Sequence, residues 1–283
     1  MNMFLRWKLI IGLLILGNVA MFPKPLAQGK AVKSNLIWNG SFETENWQKN
    51  WNLSNQKWGL ENTAVIPDET NRFKQVLRVR YPAGSASPTA TRKGAPSGGV
   101  QFYSQFYDQL NLKSERSFQD HLRLRYFLRF SDDFEFVKGG KLPGFYGGIG
   151  NSGGEIPNGH DGFSSRLMWR KKGVGEVYAY LPSSKDYGTS IGRGRWTFKP
   201  GIWYQVEQEI KLNDPTKSNG WVKVWVDNSL VLNQSKLKWR TDSNLTIDGI
   251  FFSTFFGGKD ASWSTPEDVY IDFAEFAIVP NSK

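Results

Sequence analysis

Apolar and polar side chains alternate with a period of two along much of this chain. Gln101 to Tyr107 (QFYSQFY) sets Phe102 and Phe106 on one face and Gln101, Tyr103, Gln105 and Tyr107 on the other. His121 to Phe130 (HLRLRYFLRF) gathers Leu122, Leu124, Tyr126, Leu128 and Phe130 opposite Arg123, Arg125, Phe127 and Arg129. Trp203 to Leu212 and Trp221 to Val226 alternate likewise across a turn-rich NDPTKSNG, and Val269 to Val279 reads as a closing strand with Asp272 and Glu275 outward. Half-buried strands on a pleated sheet carry this signature. Helical periodicity is scarce. About ten short strands with Gly-rich connections and no strand–helix–strand alternation predict an all-β, two-sheet antiparallel sandwich of jelly-roll type.

The first residues break the pattern. Arg6 and Lys8 precede an apolar run from Leu9 to Phe22, followed by PKPLAQGKA. That order is a secretory leader, and the run is shorter than the roughly 20 residues of a spanning helix. The expected organisation is a signal peptide or N-terminal anchor over residues 1–27 and one domain over 28–283. The expected location is extracellular or periplasmic.

Composition removes whole classes of chemistry. The chain has 283 residues, no Cys and only two His, His121 and His160. Disulfide frameworks, thiolate zinc, Cys nucleophiles and three-His metal sites are therefore excluded. The 12 Trp, 10 Tyr and 20 Phe supply a large aromatic core. Net charge is +10, with the basic residues scattered and no nucleic-acid motif. A basic protein outside the cytoplasm suits an acidic polysaccharide.

The candidate chemistry gathers between Gly139 and Leu181. Parity along FSSRLMW and EVYAYL puts Ser164, Arg166, Tyr178 and Tyr180 on one side of the sheet if Ser165, Leu167, Trp169, Val177, Ala179 and Leu181 are core. Gly173 and Gly175 suit a hairpin that brings the two strands together. Lys141 sits in a Gly- and Pro-rich segment, GGKLPG, read as a bend that places its ammonium over that surface. Paired carboxylates for glycoside hydrolysis, about 5–9 Å apart, have no such motif here, and only Glu176 lies near. Lys, Arg, Ser and two Tyr instead suit β-elimination of a uronate. Cations neutralise the carboxylate, a base removes the C5 proton and an acid protonates O4. A Tyr base needs its pKa lowered by those cations. His160, Gln101, Tyr103, Arg123 and Arg125 are candidate substrate-binding residues of the same groove.

At these positions the sequence resembles polysaccharide lyase family 14, the jelly-roll alginate and glucuronan lyases. The segment Gly139 to Gly148 (GGKLPGFYGG) carries the likeness most specifically, with Ser164-x-Arg166 and Tyr178-x-Tyr180 completing it; it extends over roughly residues 60 to 280. The resemblance implies a secreted lyase acting on a 1,4-linked polyuronate, with Lys141, Ser164, Arg166, Tyr178 and Tyr180 lining the cleft. Tyr178 and Tyr180 then divide proton removal and return; a deprotonated Lys141 as base is the competing assignment. No cofactor is required; a structural Ca²⁺, common in sandwich glycan binders, is left open, with no ligand motif to place it. The expected partner is the acidic polymer, with neither nucleic acid nor membrane, and the expected state is a monomer. The rival reading is a non-catalytic module that binds acidic glycans on Trp and Tyr platforms.

Overall fold

The alternating segments are strands, and they stack as two antiparallel sheets. The computed structural model describes residues 36–44, 46–106 and 119–282. The leader expected over residues 1–27, and Tyr107, lie outside the described residues. In chain order the strands are β1 (Trp38–Gly40), β2 (Leu53–Trp58), β3 (Thr63–Pro67), β4 (Gln75–Tyr81) and β5 (Val100–Ser104). Then come β6 (His121–Phe130), β7 (Gly139–Gly148), β8 (Gly162–Arg170), β9 (Gly175–Tyr180) and β10 (Thr189–Ile191). The last five are β11 (Trp203–Lys211), β12 (Gly220–Val226), β13 (Ser229–Leu237), β14 (Gly249–Thr254) and β15 (Val269–Val279). Two four-residue helices, α1 (Trp47–Asn50) and α2 (Pro88–Thr91), join them.

One sheet runs β13-β12-β11-β6-β15-β4-β3, with β1 paired to β15; the other runs β10-β9-β8-β7-β14-β5-β2. Their facing sides form the core. Leu122, Leu124, Tyr126, Leu128 and Phe130 of β6 are buried there, as their parity predicts. In β15 the outward Asp272 and Glu275 are three residues apart, which strict alternation forbids. A bulge between Ala274 and Ala277, with Glu275 at φ 46°, restores the phase so that Phe273 and Phe276 both enter the core.

Trp47 and Trp51 are core residues rather than sugar platforms. Trp51 is fully buried, stacked on Phe42 at 5.0 Å and edge-on to Trp38 at 5.1 Å. A buried polar link also joins the sheets, where Gln208 Nε2 on β11 donates to Ser165 Oγ on β8 at 3.1 Å.

Candidate active site

The site stands on the outer face of β7, β8 and β9. Register places Arg166 directly opposite Tyr178, Ser164 opposite Tyr180 and Lys141 opposite Met168. Because Ser165, Leu167, Trp169, Val177 and Ala179 turn inward, Ser164, Arg166, Met168, Arg170, Glu176, Tyr178 and Tyr180 share the other face. Lys141 reaches this face differently from the sequence expectation. GGKLPG is not a bend but the first part of β7, an interior strand. Leu142 and Phe145 both enter the core although their spacing is odd. The register shift between Leu142 and Gly144, around Pro143, supplies the extra residue and leaves Lys141 on the site face. Gly144 is forced by this close approach, since a Cβ there would lie 2.0 Å from the Ser165 carbonyl oxygen.

Lys141, Arg166, Met168, Arg170, Tyr178, Tyr180 and Gln101 line a cavity of about 560 Å³, together with Arg92, Lys259, Asp260 and Trp263 from outside these strands. Lys141 Nζ lies 2.9 Å from Met168 Sδ and 3.7 Å from the centre of the Tyr178 ring. The Tyr178 and Tyr180 rings meet edge to face at 5.8 Å, and the Tyr180 hydroxyl accepts from Gly154 N–H at 3.0 Å. Arg166 is fully buried. It donates to Ser253 Oγ at 3.1 Å and stacks on Phe251 at 4.5 Å, and its Nε has no hydrogen-bond partner. Among the described residues it has no carboxylate partner, and burying such a charge alone is expensive.

Proton affinities depart from the sequence expectation. Burial, then the neighbouring guanidinium groups of Arg166 and Arg170, hold Lys141 well below the ordinary lysine value; Glu176 opposes them. The Tyr178 ring, 3.7 Å from the ammonium, favours the charged form and opposes this shift without reversing it. Tyr178 moves the other way: burial and then Tyr180 push it up to about 12, outweighing Arg166 and Arg170. The cations therefore do not lower this phenol, because its burial is the larger influence. The arrangement sets an amine whose hold on its proton is weakened beside a phenol whose hold is strengthened and a guanidinium without an acidic partner.

The other named residues divide. Gln101 lines the cavity, while Tyr103, on the same face of β5, stacks on Phe251 at 4.3 Å and lines an adjoining cavity of about 550 Å³. Ser164 is fully buried and donates to the Asn151 carbonyl at 2.6 Å, which ties down the β7–β8 connection. Arg123 and Arg125 are on β6, in the opposite sheet, on its outer side. Arg123 pairs with Glu207 and stacks on Trp225, so neither arginine reaches the groove. Parity fixed their face but not their sheet. His160 is exposed and sits against Thr241 and Asp242, outside the cavity lining. Glu176 has both carboxylate oxygens held by Arg170 and Arg193, which leaves it unsuited to the role of a hydrolytic acid. Sequence reasoning missed Arg170, although the same parity that gave Arg166 reaches it. Among the described residues no group of three or more His, Asp or Glu could hold a metal ion.

Comparison with known proteins agrees with this geometry. The sequence model for polysaccharide lyase 14 matches residues 69–276. The PL-14 alginate lyase from the marine Aplysia kurodai is 30% identical and superposes with a TM-score of 0.75, over 87% of this chain and 100% of that one. Alginate lyase vAL-1 from Chlorella virus shares the fold at 20% identity and a TM-score of 0.70, covering 87% of this chain and all of that chain. The endo-β-1,4-glucuronan lyase from the fungus Trichoderma reesei does so at 14% and 0.54, covering 86% and 94%. Among curated proteins no sequence matches. Fold and similarity together define a jelly-roll enzyme, a polysaccharide lyase. The chain belongs to polysaccharide lyase family 14.

Proposed function

We propose that the protein cleaves a 1,4-linked polyuronate, alginate or glucuronan, by β-elimination. The observation that carries this reading is Arg166: a fully buried guanidinium without an acidic partner, beside a lysine whose proton affinity is lowered by burial and by the neighbouring guanidinium groups. An incoming uronate carboxylate supplies the missing counter-ion, and bidentate contact with the guanidinium disperses the charge that builds up when C5 loses its proton. The Lys141 amine takes that proton. The C5–H electron pair forms the C4=C5 double bond, the C4–O4 bond breaks, and a phenol of the Tyr178–Tyr180 pair protonates O4. This assigns the base to Lys141 rather than to Tyr178, because Tyr178 holds its proton up to about 12. Ser164 acts through the loop it anchors. Residues 1–27 as a leader would deliver the enzyme to where such polymers occur.

Lys141 and the two phenols stand on one wall of the cavity. Base and acid therefore approach the sugar from the same side. In mannuronate and glucuronate the C5 proton and O4 lie syn, whereas in guluronate they are anti, so the first two linkages are the expected substrates. The test is ultraviolet absorbance of the conjugated product on polymannuronate, glucuronan and polyguluronate. A rise on the first or second, with a slower one on the third, is expected; no rise on any of them overturns the catalytic reading.

A further inference from the structure

Beyond Met168, β8 ends at Arg170, the next residue on the site face and one of those lining the cavity. Its guanidinium is gripped from one side only. Nε donates to Glu176 Oε1 at 2.7 Å and Nη2 contacts the same oxygen. Nη1 has no hydrogen-bond partner among the described residues. The guanidinium carbon lies 5.5 Å from the centre of the Tyr178 ring. Glu176 is itself fully buried, and its second oxygen accepts from Nε of Arg193, a half-exposed residue whose Nη2 donates to Ser190 Oγ at 2.8 Å. Two guanidinium groups thus share one carboxylate, and the trio keeps a net positive charge. A long side chain that would otherwise sample many rotamers is fixed at the cavity wall. A salt bridge that served stability alone needs only one arginine and gains little from a second.

We propose that Arg170 reads a second carboxylate, on a sugar neighbouring the one cleaved, and that Glu176, latched from outside by Arg193, is the positioning residue that aims it. This rests on the polyuronate reading above and narrows it. Arg166 and Arg170 are four residues apart on one strand, about 13 Å along the backbone, so no single carboxylate engages both in place. The preferred substrate is then a run of adjacent uronates, not a polymer in which uronate alternates with a neutral sugar.

The experiment pairs protein variants with altered substrate. Polymannuronate oligosaccharides are compared with the same oligosaccharides partly carboxyl-reduced, so that sugars flanking a cleavable uronate are neutral mannose. Rates are taken on the alkaline plateau, because the charged groups facing Lys141 are Arg166, Arg170 and Glu176, and removing Arg170 lets Lys141 keep its proton to higher pH. Arg170→Gln should raise KM on the intact oligosaccharide by about ten- to a hundredfold, the worth of one hydrogen bond to a charged group. The loss should fall on KM rather than kcat. On the carboxyl-reduced oligosaccharide wild type and Arg170→Gln should differ less than twofold. Glu176→Gln should shift KM in the same direction. Should that buried substitution fail to fold, Arg193→Gln, which removes only the outer latch, should give a smaller shift of the same sign. An unchanged KM for Arg170→Gln, or an equal penalty on both substrates, overturns the proposal. If wild type turns over no uronate polymer at all, the function reading has failed, and the same comparison of dissociation constants by calorimetry decides for or against Arg170.

Discussion

Lys141 and Arg166 are costly residues to bury, and the cost makes specific predictions at the residue scale. A lysine held below its ordinary value is neutral in the native state while the unfolded chain still binds a proton. Stability therefore rises with pH from Lys141's lowered value up to the ordinary lysine value near 10.5, and falls on going down through that window. Lys141→Met removes this term. It should leave the melting temperature equal or higher while abolishing turnover, as expected where an active site is held at the expense of stability; a clear drop in melting temperature would contradict the burial argument. The rate follows the same groups. The logarithm of kcat/KM should climb with pH up to Lys141's lowered value and level off above it, and a fall near 12 in the pH–rate profile would mark Tyr178 as the acid of the pair. Tyr178→Phe and Tyr180→Phe should keep polyuronate binding within a few fold by calorimetry. The variant lacking the proton donor should lose about 10²–10⁴ in kcat.

At the scale of elements, the site depends on how strands are phased rather than on which residues are present. β8 and β9 alternate cleanly, so the pairing of Arg166 with Tyr178 and of Ser164 with Tyr180 could be read from parity. β7 was not legible as a strand, because Gly and Pro are the usual marks of turns. Its glycines instead answer close approach, as at Gly144 against Ser165. The bulge that turns Lys141 outward has no signature beyond Pro143. Arg123 and Arg125 fail for another reason: alternation gives a face of a strand but not the sheet to which it belongs. Gly188 tests the packing of the site directly, since a Cβ there would lie 2.8 Å from the rings of both Tyr178 and Tyr180. Gly188→Val should reduce turnover by displacing the phenols, with far-ultraviolet circular dichroism unchanged. Full activity would show that the rings are not held from that side.

At the scale of the whole molecule, the two sheets divide the labour. The inner faces hold the aromatic core, where Trp51→Ala should cost about 3–5 kcal/mol by denaturant unfolding, and the outer face of the second sheet holds the cavity. The core and the sandwich were legible because period-two alternation reports burial directly. What the sequence could not reveal was which buried charges lack partners, since that depends on contacts across strands far apart in the chain. The central claim is that these unpartnered groups remove a proton from the sugar and do not deliver water to it. Mass spectrometry of limit products from polymannuronate tests it most directly. The account predicts fragments whose new non-reducing end is one water lighter than a saturated uronate, whereas fragments saturated at both ends would show hydrolysis and contradict it.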